Sequence, residues 1–272
     1  MTRLLSGAEL VSFIEERQAK QVRNLKQEHH ISPRLVVLMR DNASRVSEVY
    51  VAMKQRYAED IGITVDVVRV AESSMKDKIR ELNNDSNVHG IIVQLPLEDV
   101  SQTQAICDEI DSKKDVDGLG KDAAFTSATA QAIDWLLVGY NVELSGKKIA
   151  IIGNGKLVGQ PLTALWNAQG RDVTVVDIDT PDAHEIILAS DIIVTATGVP
   201  RRLKSEDVKQ KAVVVDAGTA TEGGIVVGDA DDKLRERADI TITPIKGGVG
   251  SLTVAVLFDH VIQVALQLAL AH

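Results

Sequence analysis

Cysteine is almost missing. Cys107 is the one thiol in 272 residues, so no intrachain disulfide can form and a reducing compartment, the cytoplasm, is the expected setting. Its neighbours Ala105, Ile106 and Ile110 imply a buried, inert thiol. Aromatic residues make up only 3% of the chain, so its cores must be built from Val, Ile, Leu and Ala. That favours sheets covered by helices over an aromatic-rich β-sandwich. Positive charge is in the minority, with 30 Lys and Arg against 39 Asp and Glu, a formal net charge of −9. Such a chain repels phosphate backbones, and its most basic stretch, Arg201 to Lys211, is interrupted by Glu206 and Asp207; a nucleic-acid partner is not expected.

No signal-type apolar stretch opens the chain, and the longest apolar run, Val254 to Leu270, is broken by Asp259, His260, Gln263 and Gln267. No membrane partner is expected. Metal ligation is not expected either. None of His29, His30, His89, His184, His260 and His272 has a second His or Cys at ligand spacing, and Asp229, Asp231 and Asp232 read as a solvated turn.

What is present is a repeating rhythm. Helix formers over Ala8–Glu28 precede a buried strand, Arg34–Met39; a helix (Ser47–Ile61), a strand (Thr64–Val70), a helix (Met75–Asn83) and a strand (Gly90–Gln94) follow. Continuous apolar strands alternating with amphipathic helices predict a parallel sheet covered on both faces. A helix is expected near Gln102–Ile110 and a loop over Lys114–Gly120. After a helix at Ala130–Val138 the pattern restarts: strand Ile149–Ile152, helix Leu157–Gln169, strand Val173–Val176, helix Ala183–Ala189, strand Ile192–Thr195, strand Val213–Val215. This is the order of a doubly wound nucleotide-binding domain. A helix over Leu252–Ala271 closes the chain. The length suits two domains.

Two local patterns carry chemistry. The strand Ile149–Ile152 runs into Gly153-Asn154-Gly155-Lys156-Leu157-Val158-Gly159, a Gly-x-Gly-x-x-x-Gly loop that opens a helix. Gly153 suits a tight turn, Gly155 lets backbone amides approach a pyrophosphate, and the helix N-terminus supplies unpaired N–H groups. Asp177 ends the next strand, where a carboxylate accepts hydrogen bonds from the adenosine ribose of NAD. Facing the extra phosphate of NADP at about 5 Å and an effective dielectric near 20, it would repel by roughly 3 kcal/mol. The expected cofactor is therefore NAD(P), with NAD favoured. The second pattern is Tyr50 and Lys54, four apart on one helix face. Spacing alone favours an ordinary surface pair over a site. Short-chain dehydrogenases place a Tyr-x-x-x-Lys after their glycine loop; here it comes about a hundred residues before it, which argues against them.

Further segments turn these patterns into a resemblance. Leu4-Leu5-Ser6-Gly7, Ser47 to Lys54 (Ser-x-x-Tyr-Val-x-x-Lys), Gly90 to Leu97 (GIIVQLPL) and Lys114-Asp115-Val116-Asp117-Gly118 occur in that order. Val158-Gly159-Gln160-Pro161, Ala196 to Pro200, Asp216-Ala217-Gly218, Gly228-Asp229 and Thr243 to Thr253 follow. The chain resembles the bifunctional methylenetetrahydrofolate dehydrogenase/cyclohydrolase enzymes over nearly its whole length.

The resemblance implies an α/β protein of two domains with the active site in the cleft between them. The first is a three-layer catalytic, folate-binding domain with a parallel sheet (1–125, with the 252–272 helix packing back on it). The second is a Rossmann-like NAD(P)-binding domain (126–251). It implies oxidation of 5,10-methylene-tetrahydrofolate and hydrolysis of the methenyl product to 10-formyl-tetrahydrofolate, by a cytoplasmic homodimer. Lys54 would be the central acid/base group, Gln94 its orienting partner, Tyr50 a surface for the folate ring and Asp117 the grip on the pterin edge. Leu95, Pro96, Gly247, Gly248 and Thr253 would also meet folate. Gly153, Asn154, Gly155, Val158, Gly159, Asp177, Thr197, Gly198 and Gly218 would hold the cofactor. An ordinary lysine titrates at about 10.4. To act as a base near neutrality it must be brought down by roughly 4 kcal/mol against its charged form, as burial does.

The chain departs from the family at three places. The Pro-Cys-Thr-Pro-x-Gly segment is Ser127-Ala128-Thr129-Ala130-Gln131-Ala132, after a shortened loop between Gly118 and Phe125. Lys246 and Ser251 replace both prolines of Pro-Gly-Gly-Val-Gly-Pro. The usual Gly-Arg-Ser is Gly153-Asn154-Gly155, which removes a basic contact to the NADP phosphate. These departures motivate a second reading, a homologue that binds folate or nucleotide but has lost one or both activities, which the retained Tyr50, Lys54, Gln94 and Asp117 oppose. A third, an NAD-dependent dehydrogenase of small acids, is disfavoured because no His/Asp pair is positioned after the glycine domain.

Overall fold

In the computed structural model, which describes residues 3–222 and 225–270, the chain divides into two compact units. One comprises Ser12–Ala128 with Val254–His272, the other Met1–Val11 with Thr129–Thr253.

Strand β1 is Arg3–Leu4 and helix α1 Gly7–Glu28. Strand β2, Arg34–Arg40, has Leu35 to Met39 fully buried, as a strand covered on both faces must. Helix α2 spans Arg45–Ile61. It starts two residues earlier than the sequence pattern predicts because Ser44 caps it, its Oγ accepting from Ser47 N at 3.2 Å; Gly62, in the left-handed region, ends it. Then come β3 (Thr64–Val70), α3 (Met75–Asn83), β4 (Gly90–Val93) and α4 (Thr103–Cys107). The helix expected over 102–110 is this shorter α4, because the chain turns at Asp108, whose carboxylate accepts from Lys121 N at 2.8 Å. Strands β3, β2 and β4 form a parallel sheet in that order. Each Val, Leu or Ile fully buried on it contributes about 1.5–3 kcal/mol.

The other unit has α5 (Ala128–Gly139, all but its first residue), β5 (Lys148–Ile152), α6 (Gly159–Ala168), β6 (Asp172–Val176), α7 (Ala183–Ala189), β7 (Ile192–Thr195) and β8 (Val213–Asp216). A hairpin, β9 (Ala220–Glu222) and β10 (Ile225–Val227), a turn of helix α8 (Asp232–Arg235) and strand β11 (Thr241–Ile242) precede the last helix, α9 (Val249–Leu270). The main sheet is parallel, in the order β1-β11-β8-β7-β5-β6. The chain leaves β5 to one side for β6 and returns to the other for β7, so the topological switch point lies at the carboxyl end of β5.

Two placements differ from the boundaries read from sequence. The first eleven residues belong with the dinucleotide-type unit instead of with 12–128, because β1 pairs with β11 and Leu5 N donates to Ile242 O at 3.0 Å. The division falls at Ala128/Thr129 where 125/126 was expected. Helix α9 from Val254 onward belongs with 12–128. Its Ala255 carbonyl accepts from Gln18 Nε2 at 2.8 Å, Asp259 from Arg17 at 2.6 Å, and Phe258 stacks on Tyr57 with ring centroids 5.5 Å apart. Among the described residues α9 is the one helix long and apolar enough to cross a membrane, and most of its apolar stretch is buried inside the protein.

Candidate active site

Lys54, Gln94 and Asp117 meet in one unit, carried by three different elements. The cap at Ser44 sets where α2 begins, and Lys54 lies three turns along it, half-buried, with Tyr50 one turn earlier and also half-buried. Gln94 follows β4 directly. Its backbone N donates to Leu38 O at 2.8 Å, so the sheet fixes its place. Lys54 Nζ donates to Gln94 Oε1 at 2.9 Å, while Gln94 Nε2 donates to the Leu95 carbonyl at 2.9 Å. This second bond holds the amide so that its oxygen, not its nitrogen, faces the lysine. Leu95 is half-buried; Pro96, after a cis peptide, is exposed.

The loop that brings in Asp117 is built by its own two preceding charged residues. Lys114 Nζ donates to the carbonyls of Leu82, Asn83 and Asp85 at 2.7–3.0 Å, capping the end of α3. The buried Asp115 carboxylate accepts from Gly118 N (3.0 Å), Leu119 N (3.0 Å) and Gly120 N (2.7 Å), folding the chain around itself. Gly118 has φ +70°, and an added Cβ would meet Phe125 O and Ser127 N at 2.7 Å. Neither Lys114 nor Asp115 was singled out by sequence reasoning, although both stand in the motif it used. Asp117 is left free for other work.

The electrostatics are those of a charge pair drawn out of water. Burial lowers the Lys54 ammonium from the ordinary lysine range, and the nearby Asp117 charge restores part of it. Burial pushes the Asp117 carboxyl up to about 6, against the pull of Lys54. Each group therefore holds its charge less firmly than in water, which an acid/base site requires. Cys107 is buried and its thiol is pushed up to about 12, consistent with an inert role.

In the other unit the glycine loop occupies the switch point after β5. Gly153 has φ +102°, and a Cβ there would stand 2.7 Å from Ala196 O; a Cβ on Gly159 would collide with the Gly153 carbonyl. This second contact requires glycine at the first residue of α6, which begins at Gly159 and not at Leu157. Gly155 differs. A Cβ there would meet nothing within 4 Å, and Asn154, Gly155, Lys156 and Leu157 are exposed. The protein closes the two ends of the loop and leaves its middle open beside the α6 N-terminus, with Val158 as the capping residue. Open backbone beside a helix N-terminus is what a pyrophosphate needs, so the residues present suit a dinucleotide.

Thr197 and Gly198 form the neighbouring loop after β7. Thr197 N and Oγ1 both donate to Asp229 Oδ2, at 2.6 and 2.8 Å, and Thr195 Oγ1 adds a third bond at 2.8 Å. Asp229 is fully buried, so the reading of Asp229 as part of a solvated turn is corrected: it is the hub of this loop, and Gly218 packs so closely on its carboxylate that a side chain there would collide with it. Asp231 does sit in a turn, capping α8. Asp177 is exposed, its Oδ1 accepting from Asp179 N (3.1 Å) and Thr180 Oγ1 (2.8 Å).

The segment that lacks both family prolines is fastened by other means. Gly247 (φ +76°) accepts from Ala8 N at 2.9 Å, and Gly7 lies so close to the Gly248 carbonyl that a Cβ would collide with it. Thr253 Oγ1 donates to Val249 O within α9 at 3.1 Å. Among the described residues no group of three or more His, Cys, Asp or Glu could hold a metal ion.

Comparison with known proteins agrees with this anatomy. Residues 5–117 match the tetrahydrofolate dehydrogenase/cyclohydrolase catalytic domain, and residues 127–269 match the NAD(P)-binding domain of the same family. The chain belongs to the tetrahydrofolate dehydrogenase/cyclohydrolase family. It is 37% identical over 273 residues to the bifunctional protein FolD of Aquifex aeolicus, with 94% of this chain and 93% of that one aligned. Among solved structures it resembles FolD methylenetetrahydrofolate dehydrogenase/cyclohydrolase from Campylobacter jejuni (TM-score 0.91, 32% identity, 98% and 99% of the two chains). It also resembles the Trypanosoma brucei dehydrogenase-cyclohydrolase complexed with NADP and an inhibitor (TM-score 0.89, 29% identity, 98% of each chain). The match to the catalytic domain includes Lys54, Gln94 and Asp117, and the match to the NAD(P)-binding domain includes the Gly153–Gly159 loop.

Proposed function

We propose that this member of the family oxidises 5,10-methylene-tetrahydrofolate to the 5,10-methenyl form and then hydrolyses that cation to 10-formyl-tetrahydrofolate. The observation that carries the reading is the Lys54–Gln94 hydrogen bond at 2.9 Å, with Asp117 close enough to act on the lysine's charge. Bound NAD(P) supplies a hydride acceptor, held by Gly153, Asn154, Gly155, Val158, Gly159, Asp177, Thr197, Gly198 and Gly218. In the hydrolytic half, the neutral Lys54 amine takes a proton from the attacking water and its ammonium returns one as the bridge opens. Gln94 keeps the amine aimed. Burial and the substrate's own positive charge both favour the neutral amine. Tyr50 packs on the folate ring, Asp117 accepts hydrogen bonds from the pterin edge, and Leu95, Pro96, Gly247, Gly248 and Thr253 complete the surface for folate.

Within NAD(P), the reading is that NAD is preferred. The support is Asp177, an exposed carboxylate at the end of β6, and the lack of an arginine after Gly153. Screening of so exposed a charge reduces the repulsion of a 2′-phosphate to about 1 kcal/mol. The enzyme is taken to act in the cytoplasm as a homodimer; sedimentation measurements of its mass in solution would test the dimer.

The experiment is an absorbance assay of the purified chain with methylene-tetrahydrofolate and NAD or NADP. The expected result is reduced cofactor together with a methenyl signal that decays to the formyl product, faster with NAD. Tight folate binding with no reduced cofactor from either dinucleotide would establish the binding-only homologue instead.

A further inference from the structure

We infer that His260, on α9, is a positioning residue for Asp117, acting through Val116 and Phe125. The inference rests on the reading that Asp117 meets folate. His260 is buried, and its Nδ1 lies 2.8 Å from the Val116 carbonyl oxygen. A carbonyl only accepts, so Nδ1 carries the proton and donates. Burial lowers the imidazole from its ordinary range, which keeps it neutral in this role. The face of the same ring stacks on Phe125, with centroids 4.4 Å apart and planes at 19°.

These two contacts grip the loop on both sides of Asp117. Val116 is the residue before it. Phe125 stands where the shortened loop returns: its carbonyl and Ser127 N wall in Gly118, and Ala128 N donates to the Asp117 carbonyl at 3.1 Å. Behind Val116, the backbone of Gly90 leaves room for the Val116 and Val261 side chains, each of which would meet an added Cβ at about 3 Å, so Val116 and α9 share the same place on β4. The Asp117 carboxyl makes no hydrogen bond among the described residues; its tie to Lys54 is electrostatic and does not set an angle. Its direction is therefore set by its backbone, and one side chain, His260, holds that backbone by an edge bond and the returning loop by its face.

The test compares His260→Ala, His260→Asn, Phe125→Leu and Asp117→Asn. An asparagine keeps an N–H donor at the reach of Nδ1 but has no ring face for Phe125, so it should rescue part of what alanine loses. For His260→Ala the expected result is a KM for methenyl-tetrahydrofolate raised about tenfold, the scale of one lost buried hydrogen bond, with kcat nearly kept. The Asp117 carboxyl signal, followed by NMR, should also titrate away from about 6, and His260→Asn should bring both readings part of the way back. A His260→Ala enzyme that is merely less heat-stable, with wild-type KM and wild-type Asp117 titration, would overturn the inference. If Asp117→Asn leaves KM untouched while His260→Ala still displaces the Asp117 titration, the positioning stands and the folate role of Asp117 falls. Should His260→Ala fail to fold, Phe125→Leu carries the same readings: a raised KM and a displaced titration support the inference, and wild-type values of both overturn it.

Discussion

Replacing Asp117 by asparagine should make the protein more stable at neutral pH while impairing it as an enzyme. Burial carries this carboxyl from 3.8 to about 6. At about 1.4 kcal/mol for each tenfold change in the proton equilibrium, its ionised form costs the folded state about 3 kcal/mol. Between 3.8 and about 6 the folded chain holds a proton that the unfolded chain has released, so stability falls as pH rises through that window, and the whole cost is present above it. Asparagine has nearly the same shape and no charge. The variant should therefore gain up to about 3 kcal/mol near pH 7 and almost nothing below about pH 4, where the wild-type carboxyl is protonated folded or unfolded. The observed gain should be smaller than the full figure, because Lys54 loses the opposite charge that supports its ammonium form. Urea unfolding of both proteins across this pH range measures the difference, and NMR of the carboxyl carbon measures the titration directly. A variant less stable than wild type at neutral pH, or a wild-type carboxyl titrating in the ordinary aspartate range, would refute the reasoning.

Lys54→Met should also stabilise at neutral pH, because it removes a cation that burial disfavours. The lysine's contribution has the opposite pH sense: the wild type should recover relative to the variant as pH rises from the lowered lysine value towards 10.5, as unfolding in alkaline buffers would record. Gly153→Ala should weaken dinucleotide binding at least about tenfold, since it combines a φ of +102° with a Cβ 2.7 Å from Ala196 O; calorimetric titration with NAD reads this. Asp177→Ser should move the ratio of kcat/KM values towards NADP by about fivefold, the equivalent of about 1 kcal/mol of screened repulsion. An unchanged ratio would remove Asp177 from the specificity argument.

The sequence made the parallel-sheet elements readable because their signals are local. Leu35 to Met39 is an unbroken apolar run, Ile149–Ile152 leads into a glycine loop, and each has a helix pattern after it. Strands β1 and β11 carried no such signal. Each is two residues long, and each exists only because the other lies beside it, together with β8. The same limit hid part of the site. Tyr50 and Lys54 share a helix face that spacing reveals, but Gln94 lies 40 residues from Lys54 and reaches it through the sheet, and its part came from resemblance alone. His260 contacts Val116 across 144 residues, and no pattern around either position announces it. Asp229 looked like part of an acidic turn since its neighbours Asp231 and Asp232 are polar; only the fold reveals that the first of the three points inward to Thr195 and Thr197.

The most direct test of the central claim is the hydrolysis of isolated methenyl-tetrahydrofolate, without any dinucleotide, by wild type and Lys54→Met. The wild type should convert it far faster than buffer does, while Lys54→Met should fall to the buffer rate yet bind NAD as tightly as before. Hydrolysis by Lys54→Met at the wild-type rate would contradict the assignment of Lys54 as the acid/base group.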